Sequence, residues 1–342
     1  MSDRVTIADV AAKAGLSKAA VSLILNDRPG TRLSPETAER VRRIAEELNY
    51  RPNPAARTLR FGKSPIIGFV SDDVTLTRYA SAMIRGLLDV AEDHSHTVLI
   101  AETGHHPERL GGVLDAMVDR RAAGLVFGSM AARQVALPPL PDDVPVVMLN
   151  ATTSVDYPVV LPDERAAGAA MAQVLIDAGH RRIALFGRIA PEILPPEESV
   201  TILDRFAGID AVLAENAIEL VADLHERHWE PAAGYRMARE LLDSGADITG
   251  LICLNDNVAF GVYQAFQEAG VRIPDDVSVV SFDDDVLASI LRPSLSTARI
   301  PYEQMGRKAM ELALAGDRTP ARHLIPMPVV QRDSVKDLAR EA

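Results

Sequence analysis

A chain of 342 residues, 47% hydrophobic and 25% charged, is too long for one small domain and can bury a large core unaided, so two or three compact units are expected. The single cysteine, Cys253, excludes an internal disulfide framework, and no stretch reaches the ~20 apolar residues of a membrane helix. A net charge of −12 would argue against nucleic acid if evenly spread, but residues 1–63 hold twelve Lys/Arg against seven Asp/Glu, leaving a basic head on an acidic body. The start, Met1-Ser2-Asp3-Arg4, has no apolar signal-peptide run, so a cytoplasmic location with no membrane contact is expected.

Thr6-Ile7-Ala8-Asp9 reads as a capping box, with Thr6 as N-cap and Asp9 three residues on. The helix behind it passes through Val10, Ala11 and Ala14 and stops at Gly15, a C′ glycine. Ser17 then caps a second short helix, Lys18 to Leu25, and two such helices across a Gly-Leu-Ser turn form a helix-turn-helix. Ser34-Pro35-Glu36 opens a third helix whose Val41, Ile44, Ala45 and Leu48 share one face, with Tyr50 closing the small core. Pattern alone would also suit a plain three-helix bundle.

The residues themselves are more particular. Thr6-Ile7-Ala8-Asp9-Val10-Ala11, Gly15-Leu16-Ser17, Ala20-Val21-Ser22, Leu25-Asn26 and Leu48-Asn49-Tyr50-Arg51-Pro52-Asn53 closely resemble the headpiece of the lac repressor/gal repressor family, without a gap. The resemblance implies a headpiece over 1–51, a hinge helix over 52–63 and an effector-binding, dimerising core over 64–342. It places the second helix in the major groove, where Lys18, Ala19 and Leu23 face base edges. Lys18 can donate to guanine or phosphate, whereas Ala19 and Leu23 offer only apolar contact. Thr6, Ser17, Ser22 and Asn26 are then cap and phosphate contacts. The same resemblance counts Asn53, Ala56 and Arg57 of the hinge among the DNA-contacting residues and makes Leu59 the lever that wedges into the minor groove.

From residue 64 short β-rich runs alternate with helical stretches. The runs are Ile66–Val70, Val98–Ile100, Gly124–Phe127, Val146–Leu149, then Ile183–Phe186, Leu251–Leu254 and Val277–Val280. Helices are expected near Tyr79–Asp93, Pro107–Arg120, Ile202–Glu215, Ala232–Asp243 and Val258–Ala269. Such alternation predicts an α/β fold with two doubly wound parallel sheets covered by helices. The layout resembles periplasmic sugar-binding proteins, which implies three crossovers between lobes, near 161–163, 291–293 and 323–328. The N-lobe is thus expected over about 64–161 and 293–323, and the C-lobe over about 163–291 and 328–342.

Polar residues at strand ends mark where a cleft would open, since open α/β sheets bind ligands beyond the carboxyl ends of their strands. By resemblance, Arg205 fixes the effector, Asp283 accepts from its hydroxyls, Asn255 adds an amide, and Trp229, the only tryptophan, stacks on the ligand face. Asp72 and Asn150 end two N-lobe strands, and Leu76 and Tyr302 are further candidates. Carboxylates, amides, a guanidinium and a flat ring suit a neutral sugar, in preference to a sugar phosphate or nucleobase. The expected partners are palindromic double-stranded operator DNA, the small effector and a second copy of the chain.

The rival reading, a solute-binding protein for transport or chemoreception, explains the body but not the head. Neither metal nor cofactor is expected: the spacing of His94, His96, His105 and His106 matches no ligand pattern, and no phosphate-binding glycine loop follows a strand. Asp72-Asp73 and Asp283-Asp284 have no nucleophile or base beside them, so catalysis is not expected.

Overall fold

The computed structural model describes residues 5–25, 34–50, 64–73, 78–104 and 106–340, and divides the chain into two compact units, 1–65 and 66–342. Asn26, Asn53, Ala56, Arg57, Leu59 and Leu76, all singled out above, lie outside the described residues, as does His105.

The small unit contains α1 (Ile7–Ala14), α2 (Lys18–Leu25) and α3 (Pro35–Glu47). The Thr6 amide and hydroxyl both donate to the Asp9 carboxylate, at 2.8 and 2.7 Å. These hydrogen bonds hold the Asp9 carboxyl below its ordinary value. Gly15 ends α1 at φ 66°, a left-handed turn that lets the Leu16 amide reach back to the Ala11 carbonyl. Ser17 Oγ accepts from the Ala20 amide at 3.1 Å at the start of α2. Ser34 caps α3 by accepting from the Thr37 amide, with Pro35 in the first turn. Val10, Ala11, Ala14, Val21, Ile24, Val41, Ile44 and Ala45 form the core, with Tyr50 and Leu48 packed against it. The helix-turn-helix read from the sequence is present.

The large unit carries two six-stranded sheets among the described residues. The first lobe uses β1 (Ile66–Ser71), β2 (Thr97–Glu102), β3 (Gly124–Gln134), β4 (Val146–Thr152), β5 (Val159–Pro162) and β11 (Arg322–Ile325), in spatial order β11-β5-β4-β3-β1-β2 and all parallel. Its helices are α4 (Arg78–Asp93), α5 (Leu110–Asp119) and α11 (Tyr302–Ala315). Met83 and Leu87 of α4 and Met305 and Ala309 of α11 pack on one face of the sheet, while Leu110, Leu114 and Met117 of α5 cover the other. The second lobe uses β6 (Ile183–Arg188), β7 (Ala222–His225), β8 (Gly250–Cys253), β9 (Ser278–Asp283), β10 (Ser296–Arg299) and β12 (Val329–Val330), in order β12-β10-β9-β8-β6-β7. Only β12 runs antiparallel to its neighbour. There α6 (Glu164–Asp177) and α7 (Ile202–Glu215) cover one face; α8 (Pro231–Ser244) and α9 (Asp256–Ala269) cover the other, and α10 (Val286–Ile290) follows β9. Each sheet is doubly wound, as the alternation of runs predicts.

Three crossovers connect the lobes. The first lies between Pro162 of β5 and Glu164 of α6, and the third between Ile325 of β11 and Val329 of β12. The second corrects the sequence reading. The chain does not return near 291–293, because β10 pairs with β9 in the second sheet, from Ser296 opposite Val280 to Arg299 opposite Asp283. It returns after Arg299, ahead of α11. The segment Ser296-Thr297-Ala298 shows no apolar run, yet it is buried because its hydroxyls are bonded internally: Ser296 Oγ accepts from the Arg332 amide and Thr297 Oγ1 donates to Asp256.

β3 also runs beyond its expected end at Phe127. After a register break between Gly128 and Arg133 it rejoins β4 and reaches across to the second lobe, with the Gln134 amide donating to the Pro196 carbonyl and the Val200 amide to the Ala132 carbonyl, each at 2.7 Å. On the first lobe's α4, Tyr79 donates its hydroxyl to Asp285 Oδ2 of the second lobe at 2.6 Å. These bonds hold the two carboxyl ends of the sheets face to face.

Candidate functional site

In the small unit Val21 and Ile24 of α2 point into the core, which leaves Ser17, Lys18 and Ala19 exposed at the helix N-terminus and Ser22 and Leu23 half-buried beside them. Thr6 is likewise exposed. Burial therefore puts Lys18 and Ala19 on the outward face of a helix whose inner face packs into the small core.

In the large unit Arg205 of α7 is the centre of the cleft. It is only 2% exposed, among the largest fully buried side chains, and its guanidinium makes a two-pronged pair with Glu164: Nε to Oε2 at 2.7 Å and Nη2 to Oε1 at 2.9 Å. Nη1 donates to the Leu254 carbonyl at 2.5 Å, and Asp283 Oδ1 lies 3.8 Å from Nη2. The guanidinium carbon sits 4.3 Å from the Phe282 ring centroid and 5.7 Å from that of Trp229. Burial depresses its basicity, but the Glu164 carboxylate, with Asp283 and Tyr302 adding to it, raises it on balance.

Asp283 stands at the end of β9 with φ 105°, a conformation costly for a residue with a Cβ. Burial pushes its carboxyl up to about 6 against the pull of Arg205. Its neighbours have separate duties. Asp284 clamps Arg299 and Arg332, each at 2.6 Å, while Asp285 caps α10 and accepts from Tyr79. Tyr302, at the start of α11, is buried with its ring 5.2 Å from that of Tyr79, and burial together with the nearby Asp283 charge holds its phenol well above the ordinary value.

Trp229 donates its indole N–H to the Gly187 carbonyl at 2.7 Å. Gly187 is required there: it is the penultimate residue of β6 at φ 103°, and a Cβ would lie 3.1 Å from the Trp229 Nε1. Asn255 caps α9, accepting from the Val258 amide at 2.8 Å and donating to the Trp229 carbonyl at 3.1 Å. A second polar group gathers on the first lobe around Ser129. Asp72 accepts there from Arg133 at 2.5 Å and from the Ser129 hydroxyl at 3.3 Å, and Asn150, at φ 52°, donates to the Ser129 and Met130 carbonyls.

The family model for bacterial regulatory proteins of the lacI family matches residues 6–53, and the model for a periplasmic binding protein-like domain matches residues 172–335. The ribose operon repressor of Haemophilus influenzae is 30% identical over 97% of this chain and 99% of its own length. This chain belongs to the lacI family. The transcriptional regulator GalR of Salmonella typhimurium is also 30% identical, over 96% of each chain. Among solved structures, the lac repressor dimer bound to operator and the anti-inducer ONPF superposes with a TM-score of 0.72 at 25% identity, covering 98% of this chain and all of that one. A lacI-family chain with this headpiece is a DNA-binding transcriptional regulator.

Set against the sequence expectations, the cleft of this lacI-family regulator divides its candidates. Arg205, Asp283, Trp229 and, through its charge interaction with Asp283, Tyr302 come together; Asp72 and Asn150 form the separate group around Ser129. The amides of Asn255 and Asn150 serve the backbone, as a helix cap and a tie between strands. Glu164 and Arg133 were not anticipated. Glu164 opens a helix, where a lone carboxylate is expected simply for the helix dipole. Arg133 lies past the expected end of β3. Among the described residues no cluster of three His, Cys, Asp or Glu side chains could hold a metal ion, and no helix is long and apolar enough to cross a membrane.

Proposed function

We propose that this regulator acts in the cytoplasm as a homodimeric repressor on a palindromic operator, with a neutral sugar as its effector and binding rather than catalysis as its chemistry. The observation that carries the effector class is charge compensation in the cleft. Arg205 is matched by Glu164 with Asp283 behind it, and Arg133 is matched by Asp72, so each arginine there presents hydrogen-bond donors without surplus positive charge. Fixed donors, acceptors and the face of Trp229 suit a polyol. That a 30% identical relative is the repressor of a ribose operon agrees with this class. The effector shifts operator binding by its different affinity for two lobe arrangements, a coupling of about 1–3 kcal/mol.

Two experiments test this reading. Trp229, the sole tryptophan, reports on the cleft, so its fluorescence is titrated with neutral sugars, sugar phosphates and nucleobases. A saturable change with a neutral sugar, which also alters operator affinity, is expected. A response confined to sugar phosphates or nucleobases overturns the sugar assignment. In the hinge, Leu59→Ala is expected to weaken operator binding at least about tenfold while sugar binding is retained. Unchanged operator affinity removes the lever role.

A further inference from the structure

We propose that Glu164 is the specificity determinant of the cleft: by occupying the Arg205 guanidinium it bars anionic ligands and leaves a charge-neutral donor fork for hydroxyls. The inference rests on this cleft being the effector site, and it assigns the choice between sugars and their anionic derivatives to one residue.

The geometry is specific. Glu164 is the first residue of α6, directly beyond the first crossover. It is 4% exposed, and it engages Nε and Nη2 through separate oxygens, the fork-to-fork arrangement that a guanidinium otherwise offers to a phosphate or carboxylate ligand. With Nη1 given to the Leu254 carbonyl, three of the five N–H donors of Arg205 are committed. One donor on each of Nη1 and Nη2 remains. Asp283 stands 3.8 Å from Nη2 as a second carboxylate, so a dianion arriving there meets one shared cation and two acidic groups. Shedding its hydration is costly, and the paired Arg205 has no surplus charge to offset that cost. A sugar hydroxyl needs only an N–H to accept from and a carboxylate oxygen to donate to, and both are present. Were Glu164 only a mate for the α6 dipole or a stabiliser of Arg205, its neutralisation would change stability and leave ligand charge preference untouched.

The test uses the full chain and inorganic sulfate, whose charge is constant over the working range. Trp229 fluorescence is titrated with sodium sulfate against sodium chloride at matched ionic strength. The unmodified protein is expected to show no saturable sulfate response. Glu164→Gln keeps one oxygen for the guanidinium and removes the charge; it is expected to bind sulfate at least about tenfold more tightly than the unmodified chain. Adding Arg205→Gln to it should abolish the gain. A cooperatively folded Glu164→Gln protein that gains no sulfate binding overturns the proposal, as does an unmodified chain that binds sulfate equally well. Asp283→Asn removes only the more distant carboxylate, 3.8 Å from Nη2, and leaves the Glu164–Arg205 fork intact, so it is expected to gain much less than Glu164→Gln. A gain as large there would move the filter to Asp283 and overturn the proposal even if Glu164→Gln does not fold. The sugar titration of the unmodified chain fails or succeeds independently. Sulfate gained by Glu164→Gln without any sugar binding would sink the effector class while leaving the filter in place.

Discussion

Arg205→Ala is expected to destabilise the large unit by about 3–5 kcal/mol and to silence the effector response, and the two effects have separate causes. The loss of stability comes from what remains behind. Glu164 stays 4% exposed with its cation gone, and the Leu254 carbonyl loses the donor that Arg205 supplies. An unpaired charge that deep is far costlier than the pair was valuable. The loss of response comes from removing the donors that would meet the effector. Glu164→Met/Arg205→Met separates the causes, since apolar side chains of similar bulk replace the whole pair. It should recover most of the stability and none of the response. Denaturant unfolding measures the first quantity, and the rise in melting temperature on adding effector measures the second. A single Arg205→Ala variant as stable as the parent would show that water reaches Glu164.

The body of the fold was legible wherever strands were apolar. β1, β4, β6, β8 and β9 are buried along nearly their whole length and read as continuous runs of branched residues, as fully covered parallel strands should. The strands that escaped notice are short: β5, β7, β10 and β11 have four residues each and β12 has two, too few for a periodicity to emerge. β10 had a second disguise. Its sequence is Ser-Thr-Ala-Arg, and its burial depends on partners more than thirty residues away in the chain, Asp256 and Ser334. No local pattern reports such partners, and the second crossover was misplaced for that reason.

The site was legible in kind and incomplete in charge. Arg205, Asp283 and Trp229 could be carried over by resemblance, and they do meet in the structure. A polar residue at a strand end is ambiguous in sequence, because ligands and backbone amides want the same atoms. Asn255 illustrates this: read as an effector contact, it caps α9 instead, accepting from the Val258 amide. Glu164 carried no comparable signal. It lies 41 residues before Arg205, and only the close packing of α6 on α7 brings the two together. Ion pairs between elements far apart in sequence decide the electrostatics of this cleft, and spacing rules do not reach them.

Beneath the cleft, Asp256→Asn is expected to remove a pH dependence that the unmodified protein shows. Asp256 is 1% exposed at the start of α9, and burial pushes its carboxyl from 3.8 up to about 7, assisted by the Asp283 charge. Its oxygens hold together three segments: Ser281 of β9, Thr297 of β10 at 2.9 Å, and the Asp285 amide ahead of α10 at 2.7 Å. Between about pH 4 and 7 the folded chain retains a proton at this carboxyl that the unfolded chain has released. Stability contributed by Asp256 is therefore complete below pH 4 and falls as the pH rises through 7, by on the order of 2–4 kcal/mol. Asp283, pushed up to about 6, adds a change of the same sign. Its buried neighbours Cys253 and Tyr263 are both held protonated far above this window and do not contribute. An asparagine can accept from the Asp285 amide through its oxygen and turn its NH2 toward the Ser281 and Thr297 hydroxyls, which rotate to accept. Asp256→Asn should thus fold, match the parent near pH 5 and exceed it near pH 8, where the parent holds a buried charge. Denaturant unfolding at both pH values measures the difference; equal slopes in parent and variant would mean that Asp256 is ionised throughout, held so by its three donors.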